Sequence, residues 1–158
     1  LRLQPENAEY RSNLGVAMLR MGRAEEALAL HNEALRREPA DARFHNNRGN
    51  ALTALGRNLE AEAAYREALR LQPGHAEAHF NLGNLLFQAS RPGEALPHYE
   101  AATQLQPGRA MSWYNLGIAH AALGRYAEAA PCVERALQID PDLPGAKESR
   151  ERLRMLGF

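Results

Sequence analysis

Apolar residues recur at three- and four-residue steps from near the start of the chain. Leu14, Ala17, Met18 and Met21 make one such stripe, the mark of a helix with one buried face. Small residues keep a longer period. Gly15, Gly49, Gly83 and Gly117 stand 34 residues apart, as do Ala27, Ala61, Ala95 and Ala129, and Ala34, Ala68, Ala102 and Ala136. Gly and Ala at fixed places let two helices approach closely. Pro5, Pro39, Pro73, Pro107 and Pro141 keep the same step. Each stops a helix, because proline lacks the N–H and restricts the residue before it.

The pattern predicts helices over about Ala8–Met21 and Ala24–Arg37, then Ala42–Leu55 and Leu59–Leu71. Two more pairs follow over about Ala76–Ala89 and Gly93–Leu105, and about Ala110–Leu123 and Tyr126–Ile139. Gly22, Gly56 and Gly124 separate the helices of a pair, and Ser90 replaces the turn glycine of the third. Pro92 opens the sixth helix, a favoured place. Pro97 and Pro131 fall further in, and a late start or slight bend is expected there. Arg48 stands where the other units have Leu14, Leu82 and Leu116. Its stem is expected to lie along apolar surface with its head in solvent or on a carboxylate.

The expected units are 8–41, 42–75, 76–109 and 110–143. Residues 1–7 read as the remnant of a preceding unit, since Leu1-Arg2-Leu3-Gln4-Pro5 repeats the ending Leu69-Arg70-Leu71-Gln72-Pro73. The expectation is a fragment of a longer array or larger protein. Residues 144–158 lack the Leu-Gly pair, and Ala146–Leu156 alternates charge through Lys147, Glu148, Arg150, Glu151, Arg152 and Arg154. That segment reads as a capping helix with a solvated outer face.

Trp113-Tyr114-Asn115-Leu116-Gly117, followed by Gly124, Ala129, Ala136 and Pro141, has the landmarks of the tetratricopeptide repeat. The chain resembles that family from about Ala8 to Pro141. The resemblance implies an all-α, right-handed α-solenoid of four helix-turn-helix units plus the C-terminal capping helix. It also implies a concave groove lined by the first helix of each unit. In the family, the residues before and after Leu-Gly point into that groove.

Here the residue before the Leu-Gly position is Asn13, Asn47, Asn81 and Asn115; the residue after it is Val16, Asn50, Asn84 and Ile118. A carboxamide offers a donor and an acceptor, so it can hold a peptide unit whatever the side chains. The series resembles the asparagine ladder in the repeat domain of O-linked N-acetylglucosamine transferase. Bracing of neighbouring helices is the other reading of the same residues, and both stand open. Phe80, Phe87, Met111, Tyr114 and Ile118 make the later groove partly apolar, with Phe80 and Tyr114 as expected anchors. Arg43 is a candidate groove cation. The resemblance does not extend to the chaperone-cofactor repeats that grip a C-terminal carboxylate with basic groove residues, because at the two places expected to be basic this chain has Ser12 and Glu77.

Composition narrows the function further. The formal net charge is zero, which argues against a nucleic-acid footprint. No apolar run approaches the ~18 residues of a membrane helix. Cys132 is the one cysteine, so no internal disulfide forms, which fits a reducing, cytoplasmic location. His45 and His79 occupy the place of Trp113 and read as packing residues, as does His31 at the place of Tyr65, Tyr99 and Val133. No metal, cofactor or catalytic constellation is expected, and no enzyme. The expected function is a scaffold holding an extended peptide or partner segment in the groove. A recognition module cut from a larger glycosyltransferase or sulfotransferase is one alternative, and a self-assembling array stacked head to tail is another.

Overall fold

A computed structural model describes residues 7–158, and these form nine helices and no strands. The helices are α1 (Ala8–Arg20), α2 (Ala24–Arg37), α3 (Ala42–Ala54), α4 (Asn58–Leu71), α5 (Ala76–Gln88), α6 (Pro92–Leu105), α7 (Ala110–Ala122), α8 (Tyr126–Ile139) and α9 (Ala146–Met155). The remnant expected at 1–7 lies outside the described residues except for Asn7, whose side chain accepts from Tyr10 N and caps α1. The fold class is an all-α tetratricopeptide-type solenoid.

The tight turns inside each pair share one mechanism. Gly22, Gly56 and Gly124 have φ near +70°, at 76°, 71° and 72°. The residue after each sends its N–H back to a carbonyl in the last helical turn: Arg23 to Met18, Arg57 to Leu52 and Arg125 to His120. This Schellman geometry satisfies carbonyls that the helix end would leave open. Ser90 adopts the same left-handed conformation, φ 60°, and Arg91 closes it on Leu86 O. Past each of the first three turns an arginine pairs with a glutamate three residues on: Arg23 with Glu26, Arg57 with Glu60 and Arg91 with Glu94.

The chain divides into two compact units, one reaching to Asn81 and one from Leu82 onward, so α5 contributes to both. In the first unit, Ala8, Ala34 and Phe44 pack together, and one repeat later Ala42, Ala68 and Ala78 do the same. In the second unit, Ala110, Ala136 and Ala146 repeat that triad, joined by Val133, Leu137, Leu143 and Leu153. Ala146 therefore takes the register place of Phe44 and Ala78. Helix α9 packs on α8 as the first helix of a further repeat would, with Ala146 and Leu153 buried. Gly145, at φ 77°, starts α9, and a Cβ there would meet Tyr114 Oη at 2.8 Å.

Both inner prolines sit within helices. α6 starts at Pro92 and continues through Pro97, and α8 continues through Pro131, so neither helix starts late. Arg48 is half-buried. Its charge helps hold the Glu60 carboxyl below the usual range, after the larger effect of the Arg57 hydrogen bond. Its Nε is buried without a hydrogen-bond partner.

Candidate functional site: two asparagine networks

The first network lies in the unit reaching to Asn81. Asn47 Nδ2 donates to Ser12 Oγ at 3.1 Å, across one repeat. Asn81 Nδ2 donates to both Asn46 Oδ1 (3.0 Å) and Asn50 Oδ1 (2.9 Å). Tyr65 Oη also donates to Asn50 Oδ1, at 2.8 Å, and lies 3.1 Å from Thr53 Oγ1. Tyr65 is buried over Gly49, and this burial pushes its phenol up to about 12. The phenol therefore stays a hydrogen-bond donor near neutral pH.

The second network lies in the unit from Leu82. Asn115 Nδ2 donates to Asn84 Oδ1 at 2.8 Å, and Tyr99 Oη donates to the same oxygen at 3.0 Å. Burial raises the Tyr99 phenol as well. A cavity of about 190 Å³ opens here, lined by Asn84, Phe87, Gln88, Tyr99, Asn115 and Ile118. Asn84, Tyr99 and Asn115 are tied to one another, while Phe87 and Ile118 give it apolar walls.

The glycine series explains why these rings fit. A Cβ on Gly49 would sit 2.4 Å from Tyr65 Cε1, and one on Gly83 2.8 Å from Tyr99 Cε1. Gly15 makes the same room for His31, at 2.7 Å from Cε1. Gly117 faces Val133 Cγ2 at 2.9 Å.

Each sequence-derived candidate has a definite place. Asn47, Asn50, Asn81, Asn84 and Asn115 belong to the two networks. Asn13 is exposed. Phe80 is only 7% exposed. Tyr114 is half-buried, and its Oη lies 3.2 Å from Ser149 Oγ of α9. Arg43 is held by Asp41, with Nη2 to Oδ2 at 2.7 Å, and its guanidinium carbon lies 5.5 Å from the Phe44 ring centroid. Asp41 also caps α3 through Arg43 N.

Several contributors escaped sequence reasoning. Tyr65, Tyr99 and Thr53 complete the networks, although the register place of the two tyrosines was visible. His45, His79 and Trp113 do more than fill space. Their ring nitrogens lie 2.8, 2.9 and 3.0 Å from the carbonyl oxygens of Pro39, Pro73 and Pro107. Each ties the loop after one repeat to the first helix of the next. The recurring six-residue interval from Pro to the ring was the available signal.

The remaining chemistry is quiet. Cys132 is buried with Sγ donating to Glu128 O, and burial pushes its thiol up to about 11, far from a reactive thiolate. Among the described residues there is no metal-ready cluster of His, Cys, Asp and Glu, and no helix is long and apolar enough to cross a membrane.

The tetratricopeptide repeat model matches residues 1–42, 19–76, 46–110 and 80–144. Among solved structures, the chain is similar to MamA 41-end from Desulfovibrio magneticus RS-1. That match has 26% identity and a TM-score of 0.86, and covers 98% of this chain and 88% of that one. A MamA RS-1 ArsTM double mutant matches at 26% identity and TM-score 0.86, covering 98% and 87%. A further MamA crystal structure shares the fold at 20% identity and TM-score 0.83, covering 95% and 82%. A search of the curated proteins found no match. The matched repeats span most of the sequence, and the chain belongs to the tetratricopeptide repeat family of helical protein-interaction scaffolds.

Proposed function

We propose that this chain holds an extended segment of a partner protein along the surface of its odd-numbered helices. The observation that carries the reading is how the asparagines spend their hydrogen bonds. Asn47, Asn81 and Asn115 each donate through Nδ2 to the preceding repeat. Among the described residues, none of their Oδ1 atoms receives a hydrogen bond. The two readings of these residues are therefore compatible. The NH2 side braces the helices, and the oxygen side accepts from backbone N–H groups of a guest chain. Bracing also fixes the carboxamide rotamers before binding, which lowers the ordering cost.

The apolar component of recognition centres on the cavity between Phe87 and Ile118. Tyr114 adds to it through its ring. Phe80, buried in the first unit, supports the groove from within the packing. Arg43 acts on the partner through its residual positive field, since Asp41 holds the head in place.

The test is to pan a random peptide library on the protein and titrate the enriched peptides. Titrations would use the parent, an Asn47→Ala/Asn81→Ala variant, and a variant at Arg66, an exposed α4 residue paired with Glu62. Circular dichroism would check folding of each. Binding that falls only in the asparagine variant supports the groove. Equal binding to all three moves the site elsewhere.

Self-association is a second reading, favoured by one observation. Met155, Leu156 and Phe158 are 81%, 52% and 49% exposed at the C-terminal edge. Light scattering against concentration tests it, since a constant monomer mass rules it out.

A further inference from the structure

The first unit holds a cavity of about 330 Å³ whose wall includes His31, Val16, Leu19 and Asn50. His31 occupies the register place of Tyr65 and Tyr99, and Val16 the place of their partners Asn50 and Asn84. In those repeats a phenol donates to a carboxamide. Here the aromatic group is shorter and its partner is aliphatic. His31 is fully buried, and its Nε2 has no hydrogen-bond partner.

One tautomer of that ring satisfies more of its surroundings than the other. Ser12 Oγ accepts from Asn47 Nδ2, and His31 Nδ1 lies 3.4 Å from it. Among the described residues, Nδ1 is the one acceptor in reach of the Ser12 hydroxyl hydrogen. With Ser12 donating to Nδ1, Nε2 bears the ring proton; the opposite tautomer would leave both the Ser12 hydroxyl hydrogen and the Nε2 lone pair unmatched. Burial pulls the imidazole down to about 4, so the ring is neutral near pH 7.

The cavity is thus built to donate from its floor. Both internal bonds of Asn50 use its oxygen, which leaves its NH2 for a guest. Val16 and Leu19 give aliphatic walls. Arg20 and Glu77 both reach the cavity, so formal charge there cancels and a neutral guest is favoured over a charged one.

Resting on the groove reading above, we propose that this cavity selects a carboxamide side chain, Gln or Asn, of the partner segment. The carboxamide oxygen accepts from His31 Nε2 and Asn50 Nδ2. Its methylene stem lies on Val16 and Leu19, and its NH2 faces Asn47 Oδ1 and the Glu77 carboxylate. The nitrogen is closed to water in the unbound chain, so the guest reaches it by turning an aliphatic side chain of the wall into another rotamer.

Two measurements test this. Nitrogen-15 NMR of the histidine rings reads the tautomer without any ligand. An Nε2–H signal for His31 is expected, and an Nδ1–H signal overturns the proposal. Next, a random peptide library is panned on the parent. One library-derived peptide is compared with its Gln→Met or Asn→Leu version on parent, His31→Phe and Val16→Asn proteins. The parent is expected to prefer the carboxamide by about tenfold, one hydrogen bond's worth of discrimination. The preference is expected to shrink below about twofold in His31→Phe, which lacks the donor, and in Val16→Asn, which supplies an internal acceptor. If His31→Phe fails to fold, Val16→Asn decides. Enriched peptides without a carboxamide preference, or a preference unchanged in the folded variants, overturn the proposal. If those peptides still weaken with Asn47→Ala/Asn81→Ala, the groove reading survives. Peptides indifferent to the asparagine substitutions, or no enrichment, overturn both.

Discussion

Repeat one and repeat four solve the same packing problem differently. The middle repeats pair a tyrosine with an asparagine: Tyr65 with Asn50, and Tyr99 with Asn84. The fourth repeat replaces both partners, with Val133 and Ile118, so that place in the packing becomes apolar. The first repeat replaces the asparagine by Val16 and the tyrosine by His31. Exchanging both members of a polar pair for apolar groups is nearly neutral, whereas leaving one buried polar atom alone costs its desolvation. The contrast marks repeat one as the place where this particular pair is left half made, with His31 Nε2 unpartnered.

Acid should separate the two ends most strongly. The unfolded His31 takes a proton near 6.5, while the folded ring refuses it until about 4. Its stabilising effect is therefore complete above about pH 6.5 and is lost as pH falls toward 4. Each pH unit between those two values is worth about 1.36 kcal/mol, which makes the full effect about 3 kcal/mol. Urea unfolding of parent and His31→Phe at pH 7 and pH 4.5 measures it. The parent should lose more stability than the variant. Hydrogen exchange should show α1 and α2 losing more protection than α7 and α8, and equal loss at both ends would break the contrast.

Overpacking comes next. Gly49→Ala drives a methyl against a buried tyrosine ring, which lies 2.4 Å from the Cβ position. The expected net loss is about 2 kcal/mol, despite the ~1 kcal/mol that alanine adds in helix propensity. Gly117→Ala meets Val133 Cγ2 at 2.9 Å and the Ala129 carbonyl oxygen at 3.1 Å and should cost less, because the overlap is smaller than at Gly49. Chemical denaturation of both variants ranks them.

Restoring the missing partner in repeat one should sharpen the comparison. Val16→Asn gives His31 an acceptor and is expected to stabilise by about 1 kcal/mol. In a cycle with His31→Tyr, the double variant recreates the pair of repeats two and three. The coupling energy is expected near ~1 kcal/mol in favour of the pair. A zero coupling would mean that the register analogy fails.

The smallest effect belongs to a turn. Ser90 holds φ 60°, where Gly22, Gly56 and Gly124 stand elsewhere. Ser90→Gly should raise stability by about 0.5–1 kcal/mol by relieving left-handed strain. A thermal melt would detect it.

Much of the architecture could be read in advance because each signal is local. Pro, Gly and Ala act through backbone geometry and short contacts, and their 34-residue recurrence in the chain leaves few alternatives. Helix bounds followed to within one or two residues, with α2 and α8 as expected. The asparagine places were visible as well, but not how each carboxamide is oriented. Asn81 divides its NH2 between two residues of the preceding repeat, 31 and 35 positions away. No sequence spacing specifies which amide atom turns inward, because that depends on the acceptors it meets.

The periodic pattern alone established the repeat and the helix pairs, since backbone preference and hydrophobic register act within a few residues. Only the packed chain decided that Phe80 is buried, that Tyr114 meets Ser149 of α9, and that His31 Nε2 is left without a partner. Burial and hydrogen-bond satisfaction are properties of neighbours brought together from different repeats. They arise from which side chain fills the space beside a glycine, and that is settled only when the helices close on one another.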